Sequence, residues 1–444
     1  MNTVFFAIVA VAFVFAAIRQ LSGLPADADS LPIQELSKAV VDSAGGAVEL
    51  AIGLIGVMTL FLGLMKVAEE GGLLQILSRL IRPVMVRLFP DVPPDHPAMG
   101  AMILNMSANA LGLGNAATPF GIRAMQELDK LNPEKGTATD SMALFLAINT
   151  SNITLLPTGV IALRAAAGSV DPAGILPTTL LATMGSSVVA VIAAKLYARF
   201  ASPEPGRQAQ ISGDGLGGGR DEAASVSADD LSAEGEIDGR YDVSTGYPLW
   251  VSLLALGVVV CLIPLTVVYG RRVSPWIIPS LMLGFLLFGL IRRVRIYEVF
   301  VEGAKDGFQV AVKIIPYLVA ILVAVGMFRA SGAMDAMVAA LGGFTAKIGL
   351  PAEALPMALL RPLSGSGAYG ILASIIQDPA VGPDSYVGYL VSTFQGSTET
   401  TFYVIAVYFG AVQVRRIRHT MAAALTADFA GIMGAVLACS YFFA

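Results

Sequence analysis

Apolar runs long enough to cross a bilayer recur from one end of this 444-residue chain to the other, and that recurrence excludes most folds at once. Only 14% of the residues are charged and 55% are hydrophobic, against roughly a quarter charged in an ordinary soluble domain. A bilayer admits only helices or closed barrels, because backbone N–H and C=O groups find no water there. Runs of about 20 residues are helix-length rather than strand-length, so the expected class is an all-α polytopic membrane protein. Candidate spans fall at about 3–20, 46–66, 140–166, 176–200, 248–270, 274–292, 309–329, 384–412 and 417–443, about nine in all. Trp250 and Trp276 open two of them, at the level of an interfacial aromatic belt. The run Thr3–Ile18 lacks a preceding basic segment and reads as a retained span, not a cleaved signal.

Between 201 and 246 the composition changes to Gly, Ser, Ala, Asp and Glu, with almost no large apolar residues. Such a stretch cannot bury a core and is expected to be a disordered acidic linker. The net charge of −5 lies largely there, so it gives no case for nucleic-acid binding. The linker separates a membrane half at 1–200 from another at 247–444. The halves share a plan: a span leads through a Gly break (Gly71-Gly72; Gly332) into an amphipathic segment. In the first copy Gln75, Arg79 and Arg82 form one stripe, while Leu73, Leu77, Leu80, Ile81 and Val84 face the other way. Such a helix is expected to lie flat in the headgroup region.

Each half continues with a Gly- and Ser-interrupted apolar stretch, 99–125 and 355–376, best read as a re-entrant hairpin. A span with a polar centre follows: "LAINTSNITLLPTG" (146–159) and "LVSTFQGSTETTFYVIAVYF" (390–409). Ser151 aligns with Ser397 and Thr154 with Thr400. Five crossings separate the two copies, and an odd number turns the second upside down. The expected architecture is two inverted repeats joined by crossover spans, as in many secondary transporters. Most of the 28 Lys and Arg fall in loops 67–139, 201–247, 293–308 and 413–418, or beside them. The positive-inside rule then puts the N-terminus and linker in the cytoplasm, with Arg271 and Arg272 as counter-examples.

The candidate site follows from where polar residues sit at membrane depth. Asn105 and Asn109 share a face of the first hairpin, and Asn115 lies at its tip; the first broken span adds Asn149, Ser151, Asn152 and Thr154. The second hairpin offers Arg361, Ser364 and Ser366; the second broken span offers Gln395, Ser397, Thr398, Glu399 and Thr400. Unwound backbone is tolerated at that depth only where protein or a water-filled cavity satisfies it, so two tips meeting two breaks make a small-solute site. Plainer readings stand beside this one. A lone Ser or Thr in a span usually bonds its own helix, and Asn105 with Asn109 could simply tie helices together. Glu399 is an intramembrane carboxylate, a functional candidate by default, or else half of a buried ion pair with Arg361. Cys261 and Cys439 lie in apolar runs and offer neither a disulfide nor a metal site. His96 and His419 read as loop or headgroup-level residues. With no Ser/His pair, zinc spacing or paired aspartates visible, an intramembrane enzyme is not expected.

At "RPLSGSGAYG" and "FQGSTETTFYVIAVYFG" the chain resembles spore maturation protein B, and at "NAATPFGIRAM" and "INTSNITLLPTGVIALRAAAGS" it resembles spore maturation protein A. The resemblance covers nearly all of the chain outside 201–246 and implies a fusion of the two. It also implies a nucleoside-recognition or Gate domain in each half, about 46–166 and 309–412, in a bacterial cytoplasmic (inner) membrane. That group is similar to the membrane part of ferrous-iron transporter B and, more distantly, to concentrative nucleoside transporters, which have inverted repeats with two re-entrant hairpins and two broken helices. The leading expectation is a secondary transporter of a small polar solute, nucleoside-like or a small anionic metabolite, with no bound cofactor. Na+ or H+ would be the coupling ion, acting through Glu399, and by analogy the protein is a homo-oligomer. The competing expectation is a membrane scaffold of spore-maturation type, with a static polar core and partners recruited by the linker.

Overall fold

Two helices much longer than a bilayer is thick form the spine of the molecule. The computed structural model describes residues 2–22, 31–112, 114–200 and 246–443, so the linker expected at 201–246 lies, but for its last residue, outside the described residues. In the first half the order is α1 (Asn2–Leu21), α2 (Pro32–Glu70), α3 (Leu73–Leu88), α4 (Pro97–Ala110), α5 (Gly114–Lys130), α6 (Asp140–Ser151), α7 (Thr158–Ala166) and α8 (Leu176–Phe200). The second half runs α9 (Leu249–Ile291), α10 (Ile296–Ala330), α11 (Ala333–Thr345), α12 (Leu355–Leu360), α13 (Gly365–Ile376), α14 (Tyr386–Ser397), α15 (Thr401–Ala411) and α16 (Thr420–Phe443). The segments 32–70, 172–200 and 420–443 are each unbroken, long and apolar enough to cross a membrane. A fourth, 318–343, is bent by 74° at its break. This is therefore a multi-pass membrane protein.

The spine helices α2 and α10 pack antiparallel along their lengths. Gly63 lies against Phe300, Gly303 against Leu62, Gly307 against Met58 and Thr59, and Gly326 against Ser43, so residue numbers fall on one helix as they rise on the other. Glycine is required at this seam: a Cβ on Gly307 would stand 2.7 Å from the Cα of Thr59. Small residues let two backbones approach closely where lipid gives helices no hydrophobic reason to associate. The last helices of the halves, α8 and α16, are antiparallel too: Tyr197 bonds Thr426 at 3.1 Å, Ser186 bonds the Ala427 carbonyl at 2.7 Å, and Ala182 lies against Gly434. The largest buried apolar cluster draws Leu54, Phe61 and Ile161 from one half and Leu322, Leu372 and Phe394 from the other.

Both spine helices end at an elbow. Gly72 and Gly332 adopt φ of 87° and 81°, a conformation open to glycine at no steric cost, and each turns the chain into a shorter helix. Each elbow is held by an arginine from the opposite half. Arg19 on α1 donates to the Ser331 carbonyl (3.2 Å), and Arg292, just after α9, donates to the Gly71 carbonyl (2.7 Å).

Element α9 covers, as one continuous helix, the two runs expected as separate spans. As a straight rod its 43 residues would reach about 65 Å. Its ends are instead pinned close together: the Tyr247 amide donates to the Arg79 carbonyl while Arg292 holds Gly71. Eight residues bridge at most about 28 Å, so α9 is not a straight rod.

The amphipathic face of α3 differs from the expected one. Leu74, Ser78, Arg82 and Met85 are buried, while Val84 and Ile76 are exposed. Arg82 turns inward because the loop after α3 offers it the Pro94 carbonyl at 2.9 Å and Asp95 at 3.4 Å.

The seam yields a direct test. We expect Gly307→Val to lower the thermal unfolding temperature of the detergent-solubilised protein, by an overpacking cost of about 1–3 kcal/mol. Gly53→Val, with open space around its Cβ position, should leave it unchanged. Equal behaviour of the two variants would refute the close seam.

Candidate functional site at the crossing of two broken helices

Helices α6 and α14 start under side-chain caps and stop part-way. Thr139 Oγ1 accepts from the Met142 amide (3.2 Å) and Ser385 Oγ from the Gly388 amide (2.9 Å), giving the two helices matching starts. After Ser151 the chain leaves the helix at Asn152, whose φ is +32°, and resumes as α7 beyond Pro157. After Ser397 it becomes extended at Thr398 (φ −138°, ψ 161°) and resumes as α15 at Thr401.

A hairpin tip seals each break. The α4–α5 turn brings Gly112 against the Leu156 carbonyl, and the Leu155 amide donates to the Ala110 carbonyl at 2.9 Å. The α12–α13 turn brings Gly365 against Thr400 Oγ1, and the Phe402 amide donates to the Pro362 carbonyl at 3.1 Å. The breaks also meet each other: the Glu399 amide donates to the Thr150 carbonyl at 2.8 Å, and Asn152 Nδ2 donates to Glu399 Oε1 at 3.3 Å.

The hairpin side chains differ in charge. Asn109 Nδ2 donates to Asn149 Oδ1 at 3.0 Å, a neutral bond. In the second half Arg361 takes the corresponding place and donates to the Gln395 carbonyl (3.3 Å), Thr400 Oγ1 (3.1 Å) and the Thr398 carbonyl. A guanidinium thus occupies the C-terminal end of α14, where the helix dipole and freed carbonyls favour positive charge. Its approach to Glu399 is looser, 3.9 Å. The Glu399 side chain is 39% exposed, so this carboxylate lies at the edge of the crossing and is not sealed inside it.

The remaining expected residues divide. Asn105 is buried and ties the first hairpin together, donating to the Ala117 carbonyl (2.7 Å) and Tyr408 (3.2 Å). Ser151 is committed to the Ile148 carbonyl and to Ser187, both at 2.9 Å. Ser364 caps α13 through the Gly367 amide, with Ser366 at 3.5 Å. Thr154 is buried beside the first break. The Asn115 side chain lies outside the described residues.

Sequence reasoning missed three contributors. Hydroxyls along α8 serve the first break, Thr183 donating to the Ser151 carbonyl (3.1 Å) and to that of Asn152. Thr401 donates to Asp428 at 2.6 Å. Asp428 itself is the lone charged residue in the apolar run of α16, a signal as plain as the one that marked Glu399.

Buried but unpaired polar atoms gather here. Asn152 Oδ1, Arg361 Nε, Gln395 Oε1, Ser397 Oγ and Asp428 Oδ1 have no hydrogen-bond partner among the described residues. Buried polar groups are normally paired, so these are groups for which the described residues supply no partner. The interstice lined by Arg361, Phe394, Ser397, Thr398, Asp428 and Ile432 totals about 210 Å³, in gaps too narrow for a water molecule.

Two ion pairs clasp the halves at opposite ends of these helices. Arg164, with no exposed side-chain surface, reaches Asp384 at 3.0 Å and the Pro383 carbonyl at 2.6 Å. Arg418 reaches Asp140 at 2.7 Å, with 25% and 51% exposure. Beside it the His419 ring is buried and without a partner among the described residues.

Residues 51–167 and 311–415, each spanning an elbow, a hairpin and a broken helix, match Gate, the nucleoside recognition family. The chain belongs to the Gate family. This Gate protein is 51% identical over 160 residues to spore maturation protein A of Bacillus subtilis (strain 168), covering 36% of this chain and 82% of that protein. Spore maturation protein B of the same organism is 46% identical over 160 residues, covering 36% and 89%. No solved structure matches.

The clasps differ in burial, and their variants should differ with it. Asp384→Asn leaves a buried guanidinium short of its counter-ion, for a loss of about 3 kcal/mol, whereas Asp140→Asn should cost under about 1 kcal/mol; chemical unfolding in detergent measures both. Burial, and then neighbouring Arg418, holds His419 below its ordinary 6.5. Folding therefore disfavours its proton, so this contribution to stability is full above pH 6.5 and declines as pH falls through it. His419→Gln should flatten that acid-side decline in a melting-temperature series.

Proposed function

We propose that this Gate protein is a secondary transporter of a small polar solute, of nucleoside type or a small anionic metabolite, in a bacterial inner membrane. The observation that carries this reading is the set of unpaired polar atoms at the meeting of two helix breaks and two hairpin tips. In this reading the halves are inverted repeats of a nine-span protein, with α3 and α11 at the interface and the two hairpins re-entrant. The antiparallel pairing of α2 with α10 and of α8 with α16 supports the inversion. The N-terminus and linker face the cytoplasm, following the cationic loops.

In this reading Asn109, Asn149, Asn152, Gln395 and Glu399 recognise the solute by hydrogen bonds, and Arg361 supplies the positive pole for an anionic group. The crossing would open when a tip parts from its break, which exchanges the Leu155–Ala110 or Phe402–Pro362 bond for water and solute. Transport is coupled to H+ or Na+, and we assign no enzymatic step. The family's nucleoside-recognition description puts nucleosides first in any solute screen.

The gaps too narrow for water favour a second reading, a membrane scaffold with a static polar core. Liposome uptake of radiolabelled nucleosides, dicarboxylates and amino acids, with and without ion gradients, separates the two. We expect saturable uptake of one class, reduced about tenfold by Asn109→Ala, the effect of one lost bond of about 1.4 kcal/mol. No uptake of any class, together with full cellular function of the Asn109 and Glu399 variants, would establish the scaffold instead.

A further inference from the structure

We propose that Asp428 is the proton site of this protein, a carboxyl on α16 that is loaded from one membrane face and unloaded to the other; as a coupling device this rests on the transporter reading. The first observation is placement. Asp428 is 4% exposed and borders the same interstice as Arg361, Ser397 and Thr398. The second is half-satisfaction. Thr401 Oγ1 donates to Oδ2 at 2.6 Å, while Oδ1 has no partner among the described residues. Ser397 Oγ, unpaired as well, lines the same gap. A proton on Oδ1 converts an orphaned acceptor into a donor in an interstice that an unpaired hydroxyl also lines.

Charge balance agrees. The charged group that lines the interstice with Asp428 is Arg361 from the second hairpin, and Glu399 lies 3.9 Å from that guanidinium. From the other elements, Ser186 on α8 bonds the neighbouring Ala427 carbonyl, α6 ends in Ser151 and Asn152, and Ser397 at the end of α14 lines the interstice, none of which titrates. Tyr408, two turns along α15 from Thr401, is bonded to Asn105 instead. With Arg361 positive and Glu399 negative, a protonated Asp428 leaves this centre neutral, which a low-dielectric interior favours.

Charge selects H+ over Na+. A guanidinium already lines the space, and no gap here has room for a hydrated ion. A proton needs no room and adds no second cation beside Arg361. Release breaks the Oδ1–H bond: the electron pair stays on oxygen and the proton passes to a water admitted from the open face. The carboxylate then serves as a counter-ion to Arg361 while Glu399 engages solute, and loading from the opposite face reverses the step.

Infrared titration of the purified full-length protein in lipid vesicles tests this without any solute. The wild type should show a protonated-carboxyl C=O band that disappears as pH rises. Asp428→Asn should lose it, Glu399→Gln should keep it, and Asp428→Glu should keep it at a shifted frequency. Thr401→Val, which removes only the donor to Oδ2, should raise the band frequency, a change that a purely structural role would not produce. A band lost in Glu399→Gln but kept in Asp428→Asn, a band that follows Na+ at constant pH, or no titrating band at all would each overturn the assignment. The readout needs no transport, so an absent solute flux would count against the transporter reading alone.

Discussion

Interrupting a helix inside a bilayer frees carbonyls at one end and amides at the other, with no water to receive them. Each group left unpaired costs several kcal/mol, so a break is stable only where other protein supplies partners. Here the two breaks supply each other. The Glu399 amide meets the Thr150 carbonyl, the hairpin tips accept from Leu155 and Phe402, and Arg361 gathers the carbonyls at the end of α14. The long antiparallel spine, the elbows and the packed outer helices hold four irregular segments in register so that these bonds form.

The halves share this design but not its charge. Where the first hairpin presents Asn109 to Asn149, the second presents Arg361 to the Gln395 backbone. The first break's carbonyls are served by a neutral hydroxyl, Thr183, and the second's by a guanidinium. Arg361, Glu399 and Asp428 all belong to the second half. One repeat therefore contributes mainly shape and amide chemistry to the centre, and the other contributes its electrostatics.

Much of this was legible in the letters because each feature had a local physical cause. Gly72 and Gly332 announce elbows, as only glycine takes that backbone conformation freely. Polar residues in the middle of otherwise apolar runs announce the breaks, and the shared plan of the two halves announces the repeat. Other features depended on tertiary context. Lys38 and Asp42 in α2, and Glu302 and Asp306 in α10, do not stop a helix, so the spine runs well beyond its apolar cores. Arg82 reads as a solvent-facing residue until the Pro94 carbonyl comes into view. Ser364 reads as a site residue, yet a helix N-terminus claims its oxygen. Asp428 was visible as a lone acid, but its bearing on the centre depends on α16 packing beside the second break.

The elbow arginines carry a consequence for how such a protein is put together. Arg19, from the helix that leads into the first repeat, braces the bend of the second, and Arg292 does the converse. Each repeat thus lends a strut to its counterpart, and a severed half would leave one bend unbraced and one strut idle. In a chain that carries both repeats, each bend is thus finished by a residue of the other.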